Sequence, residues 1–120
     1  MDYEDLRRTA IVAIRAASMD DRPAPHGGVP AAAFSERASK WWKVAPYKQA
    51  RVERLIAVLT GSGGVILGDW DVEAGGDYGP DGDVFPLVDP EADDPRGVKG
   101  MRLVGERANS SRVYSRDLRG

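Results

Sequence analysis

The stretch Pro46-Tyr-Lys-Gln-Ala-Arg-Val-Glu-Arg-Leu-Ile-Ala-Val-Leu-Thr-Gly61 decides how the fold is read. Val52, Leu55, Ile56 and Leu59 recur at helical spacing, Pro46 suits a first helical turn, and Gly61-Ser-Gly-Gly64 supplies a stop. The spacing predicts a helix over residues 46–60. Tyr47, Ala50, Arg51 and Arg54 then share the face opposite the apolar stripe, with Lys48 at its edge, where its stem can lie along apolar surface.

Working outward towards the N-terminus, Tyr3, Leu6, Ala10, Ala13, Ile14 and Ala17 fall on one side of a helix over about residues 3–19, with Glu4, Arg8 and Arg15 opposite. Three prolines and two glycines between residues 20 and 30 disfavour helix and strand alike and mark a connector. Phe34, Ala38 and Trp41 line up at i, i+4 and i+7 and predict a second helix over 30–42. Leu6, Ile14, Phe34, Trp41, Val52, Ile56 and Leu59 are then the expected core of three packed helices.

Towards the C-terminus the period changes. Val65-Ile66-Leu67 is apolar, and Trp70 and Val72 alternate with Asp69, Asp71 and Glu73, as in a strand with one wet face. Pairing with Val84–Val88, where Pro86 demands an edge, gives an expected hairpin over residues 65–88. An acidic loop over 74–97 follows, and a second hairpin over 99–117 joins residues 101–106 to 111–117. The expected class is therefore α+β, one domain over residues 1–120, with three N-terminal helices before two β-hairpins. This element order resembles winged helix-turn-helix modules in architecture, though no sequence motif points to a particular family.

At 120 residues, with 42% hydrophobic and 30% charged, the chain fits one domain. It shows no apolar run of about 20 residues and no secretory leader, so a cytoplasmic protein with no membrane partner is expected. The absence of cysteine removes disulfides, thiol nucleophiles and thiolate metal sites, and the lone His26 removes any site needing two imidazoles. The net charge of −2 conceals segregation: residues 1–64 carry +3, residues 65–95 carry −10 with no base, and residues 96–120 carry +5.

The basic segments suggest a nucleic-acid-binding, and specifically DNA-binding, module. Arg51 and Arg54 would contact phosphate or base edges, and Tyr47 and Lys48 phosphate. Arg112, Tyr114 and Arg116 alternate along one strand, with Arg102 and Arg107 nearby, and would form a wing along duplex DNA. Charges protecting a sheet edge are the plainer reading of the same strand, as a solvated helix face is of the other group. The competing function is a protein-interaction or assembly subunit of the phage or plasmid accessory type. It would dock a basic partner through the acidic 69–94 segment, using Asp77, Asp81, Asp83, Asp93 and Asp94, with the half-exposed Trp42 as an aromatic contact.

Chemistry of other kinds finds less support. Asp77, Asp81 and Asp83 partly mimic a calcium loop, but Val88 stands where the bidentate glutamate belongs, so aspartate-stabilised turns are expected. Asp69 and Asp71 share one side of a strand without a third ligand, a thin basis for a metal-dependent hydrolase. No phosphate-loop ending follows Gly61-Ser-Gly-Gly64, and His26 lies in a Pro/Gly loop. Neither catalysis nor a cofactor nor a metal is expected, and the oligomeric state is left open.

Overall fold

The computed structural model describes residues 1–14, 38–40, 42–105 and 112–119. Among these the architecture is a four-stranded sheet. Strand β1 is Thr9–Ile14, β2 Arg54–Leu59, β3 Ile66–Asp71 and β4 Arg112–Tyr114, in the spatial order β3-β2-β1-β4. The central pair is parallel, Thr9 opposite Arg54 through Ile14 opposite Leu59, and both outer pairs are antiparallel. A parallel pair cannot be closed by a tight turn, so β1 and β2 require the long crossover through residues 15–53.

This sheet corrects the expectation of three helices and a winged helix-turn-helix. Residues 9–14 and 54–59, assigned above to helices 3–19 and 46–60, are the two central strands. Among the described residues, helix is confined to one turn, α1, over Pro46–Gln49, to 3-10 turns at Tyr3–Asp5 and Arg116–Leu118, and to Ala38 and Ser39. Of the helix expected over 30–42, residues 30–37 and Trp41 lie outside the described residues; Ala38 and Ser39 are helical, and Lys40 bridges to Val84. The physical reason lies in Ala10-Ile-Val-Ala-Ile14 and Leu55-Ile-Ala-Val-Leu59. An unbroken apolar run satisfies helical spacing as readily as any other, yet it is also what a strand covered on both faces requires, and its β-branched residues favour the pleat.

Both faces are covered. Ala10, Val12 and Ile14 share one face with Leu55, Ala57, Trp70 and Tyr114, packed under Val44, Val52, Tyr78, Phe85 and Leu118. Ile11, Ile56, Val58, Ile66 and Val113 form the other, beneath Tyr3, Leu6 and Leu103. Leu6, Ile14, Val52 and Ile56 are therefore buried as expected, but on opposite sides of a sheet, and Leu59 is only half-buried. Phe34 and Trp41 lie outside the described residues.

The hairpins are also re-paired. β3 partners β2 through the turn at 60–65, and Val84–Val88 contributes only isolated bridges, Lys40 to Val84 and Val72 to Leu87. Arg112–Tyr114 pairs with β1, whereas Arg102 bridges to Val65 and Val104 to Asp2. The two arms of the expected wing thus leave in different directions. No helix among the described residues is long and apolar enough to cross a membrane.

Candidate functional site

Alternation along β4 turns Arg112 and Tyr114 to the face of the sheet that carries Val12 and Ala10, their partners in β1. That is the face on which α1 lies. Pro46 starts α1 behind the extended Ala45, and the turn delivers Lys48 onto β4, its Nζ 3.9 Å from the Tyr114 ring centroid and 5.6 Å from that of Tyr47. The Arg112 guanidinium stands 5.5 Å from the same Tyr114 centroid and donates to the Lys43 carbonyl. A cation held over an aromatic face gains about 0.5–2 kcal/mol, and two on one ring make Tyr114 the hub of the cluster. Arg51 extends it by donating to the Asp117 carbonyl at 3.0 Å, which ties the residues after α1 to the C-terminal 3-10 turn. Tyr47 is left 60% exposed beside these charges.

Among the described residues, the buried side-chain polar atoms without a hydrogen-bond partner are Trp42 Nε1, the Tyr78 hydroxyl and the Tyr114 hydroxyl, and all three residues belong to or pack against this side of the core. Burial raises the pKa of Tyr78 and the neighbouring Tyr114 adds to it; burial likewise raises that of Tyr114, against the opposing pull of Arg112 and with a smaller push from Tyr47. Both phenols therefore stay neutral at physiological pH. Tyr78 is fixed edge-on to Phe85, ring centroids 5.7 Å apart.

Of the residues selected from the sequence, Tyr47, Lys48, Arg112 and Tyr114 come together, with Arg51 alongside. Others go elsewhere. Arg54 opens β2 and pairs with the fully buried Asp69, Nε to Oδ1 at 2.8 Å. Arg102 donates to the Ser62 carbonyl, and Arg116 meets Glu4 at 2.8 Å. Arg107 lies outside the described residues.

The acidic segment is largely committed to its own structure. Asp77 accepts from the Gly79 N–H at 2.8 Å, the aspartate turn expected from its sequence. Asp94 Oδ1 accepts from the N–H groups of Val98 and Lys99, and Asp93 pairs with Lys99 at 2.6 Å. Asp81 is exposed, while Asp83 is half-buried and its carbonyl receives the Trp42 N–H at 3.0 Å. Asp69 and Asp71 do share a face, but the guanidinium of Arg96 contacts both and that of Arg54 completes the first, so guanidinium groups stand where a bridging cation would sit. The described residues contain no group of three His, Cys, Asp or Glu able to hold a metal ion.

Tyr78 and Arg96 are the residues that sequence reading missed. A lone aromatic inside Gly75-Gly-Asp-Tyr-Gly-Pro80 has reason to be an anchor, since such a loop has little else to bury. Arg96 is the first base after ten acids, and its opposite charge was the available signal. With this geometry described, comparison gives no relative to borrow from: no family model, curated protein or solved structure matches the chain.

Proposed function

We propose that this protein is a small cytoplasmic nucleic-acid-binding module that works through the cationic and aromatic cluster at α1 and β4. The observation that carries the reading is the placement of Lys48 and Arg112 around the Tyr114 ring, with Tyr47 exposed next to them. Ammonium and guanidinium groups beside a free aromatic face are what a nucleic-acid strand needs, the cations for phosphate and the ring for a base.

The mode differs from a recognition helix. A single turn such as Pro46–Gln49 is too short to fill a major groove roughly 8.5 Å deep, so the reading favours single strands or strand ends over the body of a duplex. Stacking of one base on Tyr47 is worth about 1–3 kcal/mol, and the phosphate contacts make binding fall with salt.

The test is a fluorescence-anisotropy titration of a short labelled single strand at several salt concentrations. The wild type should bind with a negative salt slope, Lys48→Ala with Arg112→Ala should lose both affinity and slope, and Tyr47→Ala should lose affinity with the slope retained. Salt-independent binding, or an unaltered Lys48→Ala/Arg112→Ala protein, overturns the proposal. Neutralising Asp77 and Asp81 separates it from the docking of a basic protein, because those substitutions should leave strand binding intact.

A further inference from the structure

Pro46–Gln49 is too short to hold its own position. An isolated helical turn is unstable in water, and α1 buries none of its residues and has no side-chain hydrogen bond at its N-cap. Its place against β4 therefore comes from its surroundings. The loop over residues 75–84 supplies the ties: the Gly75 N–H donates to the Gln49 carbonyl at 3.0 Å, the Val44 N–H to the Gly82 carbonyl at 2.9 Å and the Trp42 N–H to the Asp83 carbonyl at 3.0 Å. Tyr78 and Phe85 anchor that loop in the core.

Gln49 sits at the centre of these ties. Its Nε2 donates to the Val44 carbonyl at 2.8 Å, which closes the chain across α1, and the same carboxamide lies against Gly82, where a Cβ would stand 2.9 Å from Nε2. Gly82 has φ +67°, so both its backbone and this close approach call for glycine. Lys48 precedes Gln49 in the same turn, and its Nζ lies 3.9 Å from the Tyr114 ring centroid. Displacing Gln49 moves the backbone from which Lys48 reaches that ring.

We infer that Gln49 and Gly82 are positioning residues of the binding surface: they hold Lys48 over Tyr114 with Tyr47 outward, and they set strand affinity without touching the strand. The inference rests on the nucleic-acid reading above for the ligand, but not for the placement of Lys48. The loop 75–84 is then a platform for the cationic turn rather than an acidic surface for a partner. Gly79 supplies a matched control, since it lies in the same loop at φ +80° and a Cβ there would meet Val84 Cγ2 at 3.9 Å and nothing of Gln49.

The experiment uses Gln49→Met, which keeps the length and deletes the donor, Gly82→Asn, which tolerates the left-handed backbone and adds a side chain against Gln49, and Gly79→Asn as the control. Lys48 methylene protons held over the Tyr114 ring resonate upfield of their usual position, so NMR without ligand reports the placement, and the dispersed amide signals of β1 and β2 verify folding. Gln49→Met and Gly82→Asn should each lose that upfield shift and bind a labelled single strand about three- to tenfold more weakly with the salt slope retained, while Gly79→Asn matches the wild type in both. If one variant fails to fold, the other carries the test. An upfield shift retained in both variants, or lost with strand affinity unchanged, overturns the inference and leaves the nucleic-acid reading standing. Loss of the shift in Gly79→Asn as complete as in Gly82→Asn also overturns it, because strain in the loop then accounts for both. A wild type that binds no strand, with the shift lost in the two variants and kept in the control, overturns the nucleic-acid reading and leaves the placement of Lys48 standing.

Discussion

Arg54 meets Asp69 with two parallel hydrogen bonds, Nε to Oδ1 at 2.8 Å and an Nη to Oδ2 at 3.0 Å, across the β2–β3 pair. The carboxylate is fully buried and the Arg54 side chain 17% exposed, and Arg96 adds a third contact at 3.1 Å from the loop that follows the acidic segment. A residue that reads in the sequence as a groove-facing arginine is thus the internal counterion of a sheet.

Removing Arg54 leaves a buried carboxylate with only Arg96 to answer it. Arg54→Ala is expected to lower unfolding free energy by about 3 kcal/mol in urea melts. Arg54→Met with Asp69→Leu should recover much of that loss, since it removes the charge along with its partner. Strand binding by the folded fraction of either protein should match the wild type, which separates Arg54 from the binding cluster.

Gly68 faces the folded-back indole of Trp70 two residues on. A Cβ there would lie 2.3 Å from Cη2 and 2.7 Å from Cζ2 of a side chain that is fully buried. Gly68→Ala is therefore expected to cost about 1–3 kcal/mol and to shift tryptophan emission, as the ring must leave its contact with the Pro90 carbonyl. Thermal melting followed by fluorescence reads both effects.

How much of this was legible in the sequence depends on what each residue packs against. The alternation of Trp70 and Val72 with Asp69 and Asp71 revealed β3 but not its burial, since the face expected to be wet holds the fully buried Asp69 against Arg54 and Arg96, and Pro46 revealed the start of α1. Ile11, Val12, Ile56 and Val58 misled because a strand covered on both faces has no polar alternation to betray it, and its partner is set by a crossover of some forty residues. Arg112 and Tyr114 were correctly placed on one face of a strand, but their neighbours Lys43 and Lys48 come from a segment more than sixty residues away. Local spacing carries no information about such a meeting.

Asp117 holds a backbone turn in an uncommon conformation. Arg8 sits at φ +51°, and both Asp117 carboxylate oxygens accept its N–H, at 3.1 and 3.0 Å, while the Ser115 hydroxyl donates to Oδ1 at 2.6 Å. Burial pushes the Asp117 pKa up, but the Ser115 and Arg8 hydrogen bonds outweigh it and the net shift is downward. A depressed carboxylate adds stability that is complete above the ordinary carboxylate range and is lost as pH falls through the folded value. Asp117→Asn should accordingly flatten the acid side of the stability profile in denaturant melts.

The phenols act at the other end of the pH scale. Tyr78 and Tyr114 ionise late in the folded protein because burial disfavours the phenolate, so stability should fall as pH rises above the ordinary phenol range, where the unfolded chain releases those protons. In a spectrophotometric titration, Tyr78→Phe and Tyr114→Phe should each remove a late component, and both should melt at or above the wild-type temperature without ligand.

The measurement that tests the account most directly is a two-dimensional amide NMR titration with a short single-stranded oligonucleotide. Binding through the cluster predicts shifts concentrated in residues 42–51 and 112–118 and in the indole and backbone signals of Trp42, with β3 and the turn at 60–65 unmoved. Shifts centred on residues 89–94, or on the loop around Arg102 and Ser62, or no shifts at all at saturating oligonucleotide, would contradict it.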